Sequence, residues 1–488
     1  MTKTYQLFID GKWLNSKSAE TFYRINPANP KEILGKFQQG TKDDIDKAVD
    51  AAEDAFGKWS SIPPPKRGEI LFKIVELLRV NKERLARLMT KEMGKILLET
   101  RGDVQEAIDT FEYFAGEGRR LFGHTTTSEL RDKFAMTIRR PVGVFGIITP
   151  WNFPIAIPAW KLAPALICGN TVVWKPSSDT PLCAIELMKI LTKAGISDGV
   201  VNLVTGPGNT AGMHLVKHKK VRGISFTGNR DTGKQIVKEA GIKKVGLELG
   251  SKNAMIIMDD ANLKLALDGV IWGAFGTTGQ RCTATSRVII HETIRKRFEK
   301  TLVERVKKLR LGSGLNPRTD VGPLVNKAAR EKSARYTKIG MEEGGKLICG
   351  GKIPKLNGFF FQPTVFTDVA IDMKIAKEEI FGPVVSLIPV KNLNEAIKAA
   401  NSVEYGLSSS IYTNDIRTAF EAIEKIEAGI TYVNAPTIGA EVHLPFGGVK
   451  SSGQTREAGW AGVEEFSEEK TVYIDYSNKL QRAQIDTK

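Results

Sequence analysis

The chain has 488 residues, 41% hydrophobic and 26% charged, a globular composition that excludes disordered, collagenous and coiled-coil proteins and suits two or three folding units of about 150 residues each. Lys and Arg outnumber Asp and Glu by 71 to 55, a net charge of +16, but the basic residues are dispersed without interleaved aromatic stacking positions, which reads as a solvated face and not as a nucleic-acid surface. The four cysteines form no CxxC pair, the N-terminus lacks signal-peptide zones and no apolar run reaches the ~18 residues of a membrane span, so a cytoplasmic protein without metal, membrane or nucleic-acid partners is expected.

Taken in chain order, Ile45, Ala48, Val49, Ala52 and Phe56 recur at steps of three and four and predict a helix over 43–59. Prolines at 63–65 close it, and 67–93 and 97–114 read as two further helices with Leu71, Ile74, Leu77, Leu78 and Leu85 as a buried stripe, so the first quarter is expected to be mostly helical. Short β-rich runs at 142–149, 171–174, 200–204 and 223–226 then alternate with helical stretches at 182–193 and 232–240. Such alternation implies a parallel sheet with crossover helices. A second block from about 254 to 430 repeats the pattern, with strands at 254–258, 287–290 and 384–389 and helices at 261–274 and 295–308. The tail sequence TVYIDY, 471–476, alternates apolar and polar and predicts a half-buried strand.

Four segments can carry chemistry. In GTTGQRCTATSR, Cys282 stands in a small, polar run beside Arg281; it is either a nucleophile whose thiolate Arg281 and the turn amides support, or a buried small hydrophobe. Cys168, Cys183 and Cys349 sit in apolar runs and read as core. Glu248, in GLELGSKNA, is a structural acid or a general base. Asn152, in TPWNFP, offers an amide N–H to an oxyanion or belongs to a rigid turn. VVWKPSSDTP and SFTGNRDTG each follow a short strand. Lys175 ends one strand, and Gly228 and Gly233 flank a turn leading into a helix N-terminus, where anions bind, although the spacing is not GxGxxG.

These segments in this order, with EEIFGPV at 378–384 and PFGGVKSSG at 445–453, resemble the NAD(P)-dependent aldehyde dehydrogenase superfamily over nearly the whole chain. The resemblance implies Cys282 as nucleophile, Asn152 and the Cys282 amide as oxyanion donors, Glu248 as the base that hydrolyses a thioester, and Lys161 as a participant in proton relay. It implies cofactor contacts from Thr149, Trp151, Lys175, Ser178, Gly228, Asn229, Gly233, Leu249, Glu379 and Phe381. It also implies a doubly wound parallel-sheet cofactor domain, 1–117 with 140–251, and an α/β catalytic domain, 252–431. A small β oligomerisation arm and closing segment, 118–139 with 432–488, would build a homodimer or homotetramer.

Ser178, Asn229 and Ser251 depart from the family pattern, and Arg230 and Asp231 are also atypical. Ser178 stands where NAD-preferring enzymes often carry a glutamate, which removes a carboxylate that would repel a 2′-phosphate and implies that NADP is accepted beside NAD. Asn229 and Ser251 replace the usual serine and glycine. Arg281 either pairs with a distal substrate carboxylate or serves the thiol or a structural carboxylate. Phe153, Trp160 and Phe446 match the aromatic walls of family substrate tunnels. The stretch VNAPTIGAEVHLPFGG resembles dehydrogenases of 2-oxoglutarate semialdehyde, the substrate expected here; succinic semialdehyde or glyceraldehyde, or a catalytically inactive binding protein, are the alternatives.

Overall fold

A computed structural model describes residues 2–486 of the chain. The predicted helices are present as Lys42–Ser61, Pro64–Met93 and Leu97–Glu117. The first starts at a reciprocal cap: the Thr41 hydroxyl accepts from the Asp44 amide while the Asp44 carboxylate accepts from the Thr41 amide, an arrangement that contributes about 1 kcal/mol. The expectation of a mostly helical first quarter fails before residue 42. There Leu7–Ile9 and Lys12–Leu14 form a hairpin, and Thr4–Tyr5, Thr21–Asn26 and Asn29–Gln38 a separate three-stranded sheet.

One seven-stranded sheet runs Lys244–Glu248, Val221–Thr227, Val144–Ile148, Thr171–Lys175, Val201–Leu203, Leu7–Ile9, Lys12–Leu14, parallel across the first five strands. Strand order turns around at Val144–Ile148: the chain steps outwards on one side through Thr171–Lys175 and on the other through Val221–Thr227. In such sheets the crevice beyond the carboxyl ends of the strands at the turn-around is where ligands bind. The helix Ala156–Cys168, buried at every residue, packs beside this sheet and ends on Gly169 at φ +95°, the left-handed closure that glycine permits.

A second seven-stranded sheet runs Lys346–Cys349, Thr364–Thr367, Val384–Val390, Arg287–His291, Ala254–Ile257, Ser408–Tyr412, Ile430–Val433, parallel except at its first pair. The helices Leu263–Phe275 and Glu292–Val306 pack on it.

The third sheet is antiparallel, with Lys133–Pro141 between Thr125–Thr127 and Ser467–Asp475. The tail is thus a strand, but not a half-buried one: Tyr473 and Ile474 are 65% and 49% exposed, because the sheet stands away from the body and packs through few of its side chains. No helix among the described residues is long and apolar enough to cross a membrane.

Candidate active site

A cleft of about 360 Å³ opens at the turn-around of the first sheet. Its wall brings together Thr149, Trp151, Asn152, Lys175, Gly228, Asn229, Leu249, Cys282, Glu379 and Phe381, ten residues singled out in the sequence from six separate segments. Trp151 and Phe381 meet edge to face, centroids 5.4 Å apart. Phe381 holds φ +59°, a strained state for an aromatic residue that marks functional loops. Glu379 accepts the Ser251 amide at 2.8 Å, and burial pushes its carboxyl above the ordinary range.

Asn229 caps the helix Arg230–Ala240 by accepting the Thr232 amide at 2.8 Å, so its side-chain oxygen is engaged and only its amide hydrogens remain for a ligand. Gly233 is not in the cleft wall. It lies buried in the first turn of that helix, where a Cβ would stand 2.5 Å from Leu249 Cδ2; it sets the approach of the helix to the strand end. Ser178 also lies off the wall: its hydroxyl donates to the Gly206 carbonyl at 3.1 Å, while Ser177 faces the cleft. The neighbouring Asp179 is held by Arg24 at 3.0 Å and Asn326 at 3.2 Å.

Several features fit a dinucleotide. The Thr227 hydroxyl is buried in the wall without a partner, at the mouth of a helix N-terminus whose amides and dipole favour phosphate. Lys175, its pKa brought down to about 8 by burial, and Lys332 supply cations. Glu379 is the one carboxylate in the wall among the described residues.

Cys282 lines the inner end of the cleft and also packs against the apolar cluster of Trp160, Leu407, Phe446 and Ala458. Trp160 and Phe446 touch there, centroids 4.7 Å apart. Burial pushes the Cys282 thiol up to about 12, and Glu248 and Glu379 add repulsion. The loop that presents it is strained, since Thr277 and Thr278 hold φ +50° and +58°, which costs on the order of 1–3 kcal/mol per residue. Glu99 restrains that turn by accepting the Thr277 amide at 2.6 Å. Asn253 donates to the Cys282 carbonyl at 2.7 Å and the Ala284 carbonyl at 2.9 Å, and the Ser251 hydroxyl donates to Asn253. The Ser251 departure therefore braces the cysteine loop.

Asn152 is 3% exposed and gives one amide hydrogen to the Gln280 carbonyl at 3.1 Å, leaving the second free for an oxyanion. The Asn152 backbone carbonyl accepts from Lys95 at 2.9 Å, within a fully buried pair of Lys95 with Asp103 at 2.7 Å. Phe153 covers Lys95, with Nζ 3.8 Å from the ring centroid.

Arg281 faces a structural carboxylate, one of the partners read for it from the sequence. Its guanidinium lies 3.3 Å from Glu99, donates to the Thr277 hydroxyl at 2.8 Å and packs over Phe153 and Trp272.

Glu248 ends the strand Lys244–Glu248, 4% exposed, with Oε1 free of any hydrogen bond. Burial raises its carboxyl well above the ordinary range, with Glu457 the next cause. The glycine-rich segment runs alongside: Gly453 bridges Glu248, and Leu249 donates to the Ser452 carbonyl at 2.8 Å. Lys161 is completely buried, paired with Glu457 and donating to the Ser225 hydroxyl at 2.9 Å. Glu457, Glu99, Asn253 and Lys332 escaped the sequence reading. Asn253 lies inside the quoted GLELGSKNA and Glu457 just past PFGGVKSSG, whereas Glu99 and Lys332 sit on ordinary amphipathic helices with no local signal.

The profile of the aldehyde dehydrogenase family matches residues 13–472. The chain is 42% identical over 480 residues to the alpha-ketoglutaric semialdehyde dehydrogenase of Bacillus subtilis, covering 96% of this chain and 98% of that one. It is 43% identical over 477 residues to the 2,5-dioxopentanoate dehydrogenase of Saccharolobus solfataricus, covering 96% and 99%. Betaine aldehyde dehydrogenase of Staphylococcus aureus, solved in complex with NAD+, superposes with a TM-score of 0.96 at 37% identity, covering 98% and 96%.

Proposed function

This chain belongs to the aldehyde dehydrogenase family, and we propose that it oxidises a short carboxylated semialdehyde, 2-oxoglutarate semialdehyde first, to the acid with NAD(P)+. The observation that carries the reading is the position of Cys282, which lines the cleft at the strand turn-around and also packs against the aromatic cluster of Trp160 and Phe446. The choice of substrate is supported by the two semialdehyde dehydrogenases named above.

The Cys282 S–H bond breaks, its proton passing to water, as Sγ bonds to the aldehyde carbon; the carbonyl oxygen becomes an oxyanion, held by the free Asn152 amide hydrogen and the Cys282 backbone N–H. NAD(P)+, when bound, supplies the acceptor for the hydride that leaves that carbon. Glu248 takes a proton from water, whose oxygen adds to the resulting thioester carbonyl; the carbon–sulfur bond breaks and the acid departs. The raised Glu248 carboxyl suits a base working near neutral pH. Lys175, Thr227 and the amides at Arg230–Ala240 would hold the dinucleotide phosphates and ribose, with Glu379 and Phe381 at its nicotinamide end.

NADP is accepted beside NAD on this reading, supported by the absence of a free carboxylate at Ser178 and by the engagement of Asp179 with Arg24 and Asn326. The two seven-stranded sheets and the antiparallel sheet of Lys133–Pro141 support a division into 1–117 with 140–251 for the cofactor, 252–431 for catalysis and an arm of 118–139 with 432–488. Exposed Phe134, Tyr473 and Tyr476 on that arm support a homodimer or homotetramer.

The test follows reduced cofactor from NAD+ and NADP+ with 2-oxoglutarate semialdehyde, succinic semialdehyde, glyceraldehyde and a plain aliphatic aldehyde, for the native chain and Cys282→Ala. Turnover led by the first substrate and abolished in the variant is the expected result. Turnover that survives Cys282→Ala, or no turnover with any aldehyde, overturns the reading.

A further inference from the structure

The base Glu248 is enclosed, so each proton it takes from water needs a way out before the next turnover. Alternate residues of a strand share a face, and on the strand Lys244–Glu248 that face carries Glu248 at the inner end, Gly246 in the middle and Lys244 at the outer end. The gap over Gly246 is filled by the carboxylate of Glu465, from the helix Gly459–Glu465; a Cβ on Gly246 would overlap Glu465 Oε1. Glu465 is 4% exposed, and both its oxygens are buried without a hydrogen-bond partner. A carboxylate in that position lowers stability where an apolar side chain would fill the same space.

Every element around this acid carries a polar or charged group. The helix Ala156–Cys168 gives Lys161, the strand Val221–Thr227 gives Ser225, the segment after the glycine-rich loop gives Arg456 and Glu457, and the strand beneath gives Glu248 and Lys244. Glu464 lies beside it on its own helix and Glu468 beyond, near Lys244. Lys161 joins the inner and outer parts, since it pairs with Glu457 and donates to Ser225. Lys244 reaches the partly exposed rim, donating to the carbonyls of Glu464 at 2.6 Å and Ser467 at 2.7 Å.

We infer that Glu465 is the outer proton-holding group of this reaction, taking the proton that Glu248 removes from water, by way of Lys161 and Glu457, and releasing it to solvent beside Lys244. In balance, the O–H bond of the Glu248 carboxylic acid breaks and an O–H bond forms on Glu465; that bond then breaks to water at the rim, so that both carboxylates are restored. Burial and the Glu457 charge push the Glu465 carboxyl up to about 7, which lets it hold and release a proton near neutral pH. Glu465 touches neither substrate nor the reacting atoms, and it acts through Glu248. The inference rests on the reading of Cys282 and Glu248 given above.

The test uses p-nitrophenyl acetate, an activated ester that acylates a reactive thiol without cofactor: nitrophenolate appears in a burst as Cys282 is acylated, and the slower steady phase reports hydrolysis of the thioester. For Glu465→Gln the burst amplitude is expected to match the native chain while the steady phase slows about tenfold. Its limb on the acid side, where the rate rises with pH, should move to lower pH, because a negative neighbour of Glu248 has gone. A steady phase with the native plateau rate, whether or not the limb moves, overturns the relay. Absence of a burst in the native chain overturns the reading of Cys282 itself, a separate result. If Glu465→Gln does not fold, Gly246→Ala displaces the same carboxylate from outside and is read in the same way. The native chain gives an independent check: a solvent deuterium effect on the steady phase no larger than on the burst overturns the inference.

Discussion

Lys95 Nζ reaches the carbonyl of Asn152 at 2.9 Å from inside a pair with Asp103 that water does not touch. The Asp103 carboxylate also accepts the Ala156 amide at 2.8 Å, at the start of the buried helix. Asn152 and the helix behind it are therefore held by one ion pair. Lys95→Met leaves Asp103 charged and alone in the core, a loss of about 3–5 kcal/mol, and releases the backbone that aims Asn152. Thermal denaturation should show the first effect and kcat the second. Lys95→Met combined with Asp103→Leu should regain stability without regaining kcat; recovery of both would mean that Asn152 is aimed by something else.

Arg281 ties the cysteine turn to Glu99 and covers Phe153 and Trp272. Arg281→Ala should lower kcat/KM about tenfold, a loss near 1.4 kcal/mol, for carboxylated and plain aldehydes alike. A loss confined to the semialdehydes would show that the guanidinium turns to meet a substrate carboxylate.

The Cys282 thiol lies far above its ordinary range in the free protein. Thiolate is the reactive form, so alkylation by iodoacetamide should rise with pH and still be climbing steeply at pH 10, with no plateau, because burial pushes the thiol up to about 12. Glu379→Gln, which removes one repelling carboxylate, should shift the curve to lower pH. A plateau near pH 8 for the native chain would contradict the electrostatics described here.

Ser178 donates to the Gly206 carbonyl beside the cleft. Ser178→Glu introduces a carboxylate there, and the ratio of kcat/KM for NAD+ over NADP+ should rise tenfold or more, a difference of about 1.4 kcal/mol. An unchanged ratio would place the adenosine ribose elsewhere.

Where side chains repeat with the period of an element, the sequence was readable. The helix expected at 43–59 is Lys42–Ser61, and the strands expected at 171–174 and 287–290 are Thr171–Lys175 and Arg287–His291. The N-terminal strands were missed because several are only two or three residues long, and most residues of Asn29–Gln38 lie partly or fully exposed without a clean period. One signal was present, however: Asp10 and Gly11, both at positive φ, make the tight turn between Leu7–Ile9 and Lys12–Leu14. In the site, residues inside distinctive motifs were found, whereas partners recruited from regular helices, such as Glu99 and Lys332, were not. Local sequence cannot reveal that Glu99 meets a turn nearly two hundred positions later, because only the packing of two sheets brings them together.

The bridge between Glu248 and Gly453 also bears on how the protein is made. Asn152, Lys161 and Glu248 are translated early, but Phe446, Glu457 and Glu465 emerge from the ribosome near the end of synthesis. Until then the nascent chain carries buried-to-be charges such as Lys161 without their partners. Contacts of such long sequence separation form late and slowly, and leave apolar surface and strand edges exposed in the meantime. The enzyme is complete only when its last segment folds back across the first sheet, so a chain interrupted before Phe446 retains Cys282 and lacks part of the apolar cluster that packs against it.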